Sequence, residues 1–221
     1  MVCPSLFNPV LSRIRSTGVA LVRLCSCDGW QAALALTLVA DALQALFLFE
    51  TARSLIFRYP LVDAATYHYQ ALALLGGQGM SGAFWQAPGY PYFLAVLEWL
   101  CRSSPEASRA LQALLLAPLL TLLAWRVGRR LLPKAWAFSA GLFTALTGPL
   151  LFYASQLLPA APAAVLVTAV LLLALRALER PTVWRWLAAG AAAGLATVMV
   201  ATAAALVPVL AWAAWRVSSA W

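Results

Sequence analysis

The sequence predicts an all-α protein, a polytopic bundle of transmembrane helices with a long external loop that carries short juxtamembrane helices. Three observations predict it. Hydrophobic residues fill 64% of the 221 positions and charged residues only 10%, against about 25% charged in an ordinary soluble domain. The apolar residues gather into runs long enough to cross a hydrocarbon core of about 30 Å. The runs are separated by short segments rich in arginine.

Residues 1–28 carry Arg13, Arg15 and Arg23 between apolar residues, a basic, weakly amphipathic pattern suited to the cytoplasmic membrane surface. No apolar core follows directly on the first basic residues, as a cleaved leader would require. The first long run, from Trp30 to Phe49, therefore reads as an anchor that leaves the N-terminus inside. Asp41 interrupts this run near mid-depth, where an acid is costly enough that it must face other helices or water.

Residues 50–90 form the external loop. They hold Arg53, Arg58, Asp63, Tyr67 and His68, a glycine-rich break at Gly76-Gly77-Gln78-Gly79, and the segment Gln86-Ala-Pro-Gly-Tyr90-Pro-Tyr92. Apolar runs follow at Tyr90 to Cys101, Ala107 to Trp125, Ala135 to Tyr153, Pro159 to Leu175 and Trp186 to Trp215. The positive-inside rule puts Arg126, Arg129, Arg130 and Lys134 in the cytoplasm together with Arg176, Arg180 and Arg185. A loop outside at Tyr90 and a cluster inside at Arg126 allow only an odd number of crossings, yet two runs lie between them. The first of these, about 12 residues with Glu98 inside it, spans only about 18 Å as a helix, so either it is a half-helix or the rule fails here. The last run is too long for one crossing and short for two. Pro208 and the pair Gly190/Gly194 predict a broken or re-entrant passage there.

Composition excludes several classes. Fifteen basic residues face seven acidic ones, and Lys134 is the sole lysine; arginines set between apolar runs fit lipid headgroups and phosphates rather than nucleic acid. Cys3, Cys25, Cys27 and Cys101 lack both a disulfide framework and the paired spacing of a zinc site. No phosphate-binding glycine loop, nucleophile elbow or metalloprotease signature occurs.

Asp63 is the most informative acid. A helix starting after Pro60 puts Asp63 and Tyr67, four apart, on one face, with the carboxylate in the first turn among unpaired N–H groups and the positive end of the dipole. There it can serve as a proton acceptor, or simply cap a surface helix. His68, the only histidine, reads as an interfacial polar residue. Tyr67, Tyr69, Trp85, Tyr90 and Tyr92 form an aromatic band that anchors at the interface or stacks on a sugar ring. Arg53 and Arg58 offer bidentate donors to a phosphate.

Taken in order, these features resemble the polytopic, lipid-sugar-dependent glycosyltransferases of the GT-C superfamily, specifically bacterial relatives of the protein O-mannosyltransferases and aminoarabinose transferases. The residues that carry the resemblance are Pro60-Leu-Val-Asp63-Ala-Ala-Thr-Tyr67 and Phe84-Trp-Gln86-Ala-Pro88-Gly-Tyr90-Pro91-Tyr-Phe93-Leu, then Arg109-Ala-Leu-Gln112, Val127-Gly-Arg129-Arg130-Leu and Gly190 to Gly194-Leu-Ala. The resemblance covers residues 29–221 as the transmembrane domain. It implies further helices beyond Trp221, a multi-pass location in a bacterial inner membrane, and Asp63 as catalytic base. A polyprenyl-phosphate sugar is the donor it implies, with Tyr67, Gln86 and Tyr90 about the substrate; Arg58 or Arg53 at the leaving phosphate is a reading of the loop that no family motif fixes, and no metal ligands or cofactor are expected. Relatives carry an acid near the turn that here reads Phe152 to Ala160, and Arg-Pro where this chain has Val200-Ala201. A truncated, non-catalytic relative and a small transporter subunit built around Asp41 are the alternatives.

Overall fold

The computed structural model describes residues 29–79 and 86–218. The basic segment 1–28 lies outside the described residues. Among the described residues the structure is helical and has no strand. The elements are α1 (Trp30–Thr51), α2 (Leu55–Arg58), α3 (Asp63–Leu75), α4 (Gly89–Leu100), α5 (Pro105–Leu131), α6 (Lys134–Leu146), α7 (Gly148–Ala154), α8 (Ala160–Glu179), α9 (Val183–Met199), a 3-10 turn (Ala201–Ala205) and α10 (Leu206–Ser218).

Three of these helices, α1, α5 and α8, are long and apolar enough to cross a membrane, and α6 with α7 forms a fourth candidate bent by 57°. Each is only partly covered by its neighbours, and apolar side chains such as Leu38, Phe49, Phe143 and Leu171 face outward, the arrangement expected where lipid replaces water as solvent. Small residues let the helices approach. A methyl group on Gly141 of α6 would sit 2.9 Å from Leu36 of α1 and 3.0 Å from Trp125 of α5.

The short run between the loop and the first arginine cluster forms α4. Its 12 residues are too few to span the core as a straight helix, and it packs on α3 and α5. The chain then returns through α5. The run from Trp186 to Trp215 forms a helical hairpin. It breaks at Val200 into the 3-10 turn, and Trp186 and Leu187 of α9 face Ala214, Trp215 and Val217 of α10 across one hollow. Gly190 and Gly194 point away from other helices, with nothing within 4 Å of a methyl group built on either.

The two arginine clusters meet at one end of the bundle. Arg130 at the end of α5 pairs with Glu179 at the end of α8, and Arg185 donates to the carbonyl oxygens of Arg176 at 3.1 Å and Arg180 at 3.0 Å. The loop helices α2, α3 and α4 gather at the opposite end, around the start of α5.

Candidate active site

Helix α3 begins at Asp63, as the sequence reading requires. The cap position is Val62, whose side chain accepts no hydrogen bond, so Asp63 stands inside the first turn instead of capping it. Val62 has φ 50°, a conformation a β-branched residue reaches only under strain. The resulting turn places Asp63 on the wall of a hollow of about 190 Å³ that Leu61, Ala64, Arg109, Gln156 and Leu158 also line.

Arg109 is the cation of this hollow. It lies one turn into α5, which is started by Ser104 accepting from the N–H of Ala107 at 3.3 Å and by Pro105 in the first turn. The residue is 1% exposed and its guanidinium lies 5.6 Å from the centre of the Phe57 ring of α2, a distance at which the ring face attracts it. Arg53 and Arg58 are exposed and do not line the hollow. Sequence reasoning assigned the phosphate contact to those loop arginines. The signal for Arg109 was its register, since Arg109, Gln112, Ala113 and Leu116 share one buried stripe of α5.

Behind the hollow lies a hydrogen-bonded lock. Tyr90 is 0% exposed and its hydroxyl donates to Oε1 of Gln112 at 2.7 Å. Nε2 of Gln112 donates to the carbonyl oxygens of Ala154 at 2.9 Å and Gln156 at 2.7 Å. Gln112 thus ties the start of α4 to the turn after α7, whose Gln156 lines the hollow. Tyr67 is buried and meets Tyr90 edge-on with ring centres 4.9 Å apart. Burial, followed by the nearby Asp63 charge, raises the Tyr67 pKa above the ordinary phenol value, so its hydroxyl stays protonated. Neither tyrosine lines the hollow. Gln86 is half-buried, and its Oε1 has no hydrogen-bond partner among the described residues.

His68 departs from its sequence reading. It is buried, not interfacial, and its Nδ1 lies 2.8 Å from Oε1 of Glu98, which is 0% exposed. This pair fastens α3 to α4, thirty residues apart. The clue was Glu98 inside an apolar run, because a buried acid requires a partner.

Gly89 sets the seat of α4. A methyl group there would come within 2.7 Å of the carbonyl oxygen of Val198, so α4 rests directly on the tip of the α9 hairpin. A separate cavity of about 100 Å³ between the crossing helices is lined by apolar residues with Thr121, Thr144 and Tyr153. It holds no carboxylate or cation for transfer chemistry.

No curated protein and no solved structure matches the chain. The dolichyl-phosphate-mannose-protein mannosyltransferase family matches residues 85–221, more than half of the chain, taking in the Gln86 to Tyr92 segment, the lock at Gln112 and the α9 hairpin. With its apolar crossing helices and GT-C resemblance, the chain is a multi-pass membrane protein and belongs to the dolichyl-phosphate-mannose-protein mannosyltransferase family.

Proposed function

We propose that this chain transfers a sugar from a polyprenyl-phosphate donor to an acceptor hydroxyl or amine at the external face of a bacterial inner membrane, with Asp63 as general base. The observation that carries this reading is one hollow lined by both a carboxylate and a buried guanidinium. Asp63 precedes the matched residues, so its role rests on that geometry and on the motif around it.

The acceptor O–H gives its proton to the Asp63 carboxylate as its oxygen attacks the anomeric carbon. The bond from that carbon to the phosphate oxygen breaks, and polyprenyl phosphate leaves. Arg109 faces the same space and can offset the charge gathering on the leaving phosphate through bidentate donors. Its near-complete burial keeps that interaction from being screened. Gln86 offers an acceptor to a sugar hydroxyl, and Tyr67 and Tyr90 support the site through their edge-on contact and the bond to Gln112. Arg58, exposed on the loop side, can meet the donor phosphate as it approaches.

The test is transfer of labelled sugar from a panel of polyprenyl-phosphate donors in membranes that contain the full chain. Transfer with release of polyprenyl phosphate from at least one donor supports the reading. A folded chain that transfers from none of them would leave a non-catalytic relative as the better account.

A further inference from the structure

The arginine end of the bundle has no part in the chemistry proposed at Asp63, and it lies far from it. Arg109 and Arg126 are 17 residues apart on the same helix, about 25 Å at 1.5 Å per residue. Two hollows adjoin at that end. The first, about 1010 Å³, is lined by Arg126, Arg129, Arg130, Arg176 and Glu179. The second, about 610 Å³, shares Arg130, Arg176 and Glu179 and adds Arg180 and Arg185. Six arginines thus face a single glutamate across two connected spaces.

The guanidiniums are held in place. Those of Arg126 and Arg129 lie 5.5 and 5.4 Å from the Trp125 ring centre, and Trp125 itself is 3% exposed. Arg185 is fixed by the two carbonyl oxygens at the end of α8. Beside this charge the first hollow has an apolar wall from Trp30, Ala33 and Leu34 of α1, and the second has Trp184, which is 80% exposed. A cationic floor beside an apolar wall, at the end of crossing helices, matches a phospholipid at the leaflet surface.

We infer that these two hollows form a binding site for an anionic phospholipid whose headgroup carries two phosphates, one for each hollow, bridged over the Arg130–Glu179 pair. A headgroup with one phosphate fills one hollow and leaves the other set of arginines unneutralised. Acyl chains lie along Trp30 and Leu34. The inference stands independently of the role of Asp63, because none of its residues lines the Asp63 hollow.

The test uses the full chain in phosphatidylcholine vesicles that hold a trace of spin-labelled lipid, with the motionally restricted fraction read by electron spin resonance. Diphosphatidylglycerol is expected to associate about tenfold more strongly than phosphatidylcholine, with phosphatidylglycerol between them, and added salt should reduce the preference. The variant Arg126→Gln/Arg129→Gln/Arg176→Gln should lose the preference, and Arg53→Gln/Arg58→Gln, with charges removed at the other end, should keep it. Equal restriction of all three lipids by the unaltered chain would overturn the inference without any variant. A preference that survives the triple substitution would overturn it too. So would displacement of the labelled lipid by polyprenyl phosphate, which would make the hollows a donor site.

Discussion

Replacing Gln112 with Ala tests the lock that holds the candidate site together. The side chain is 0% exposed and makes three hydrogen bonds, to the Tyr90 hydroxyl and to the carbonyl oxygens of Ala154 and Gln156. Each is worth about 1 kcal/mol net, and more when the partner is left buried and unpaired, so the loss should be about 3 kcal/mol or above. For a chain of this size, about 2–4 °C of melting temperature accompanies each kcal/mol, giving a fall of about 6–12 °C. Thermal unfolding in detergent, followed by tryptophan fluorescence, reads it. Tyr90→Phe removes one bond of the three and should cost about 1 kcal/mol. The double variant Tyr90→Phe/Gln112→Ala should fall short of the sum, because both changes delete the same contact. A melting temperature for Gln112→Ala within about 2 °C of the unaltered chain would refute the lock.

Gly89→Ala should destabilise by about 1–3 kcal/mol, since its methyl group collides with the Val198 carbonyl and neither backbone can move freely; the same melting assay reads it. His68→Phe, which leaves Glu98 buried without its partner, should cost about 3 kcal/mol, and His68→Phe/Glu98→Leu should recover most of that loss by removing the stranded acid. Arg109→Gln should lower the turnover of donor by about a hundredfold, and Arg109→Lys should restore only part of it, because an ammonium cannot present the planar bidentate pair. Steady-state sugar transfer measures both.

The helical membrane architecture was legible because it depends on local quantities. Apolar run length marked α1, α5 and α8 and predicted a break in the last run; the break falls at Val200, between the Gly190/Gly194 pair and Pro208 that suggested it, and both glycines lie inside the unbroken helix α9. The start of α3 at Asp63 was equally readable, from Pro60 and the four-residue spacing to Tyr67. The topology around α4 was ambiguous to charge counting, since its 12 apolar residues are short for a crossing and its packing on α3 is a tertiary contact that charge does not encode. The partners of the site were the least legible part. Arg109 and Asp63 come to line one hollow across 46 residues and His68 reaches Glu98 across 30, and no periodicity within a helix encodes which stripe of one element meets another. Buried polar residues in apolar stripes signalled that partners must exist but did not say which ones.

The central claim is that Asp63 takes the acceptor's proton in a hollow it shares with Arg109. The most direct measurement is the rate of sugar transfer by Asp63→Asn with a donor that the unaltered chain uses, beside donor binding and the melting temperature of the same preparation. The account predicts that transfer falls by about a hundredfold or more while binding and melting stay unchanged, because the amide keeps the shape and cannot accept the proton. Transfer by Asp63→Asn at the rate of the unaltered chain would contradict it.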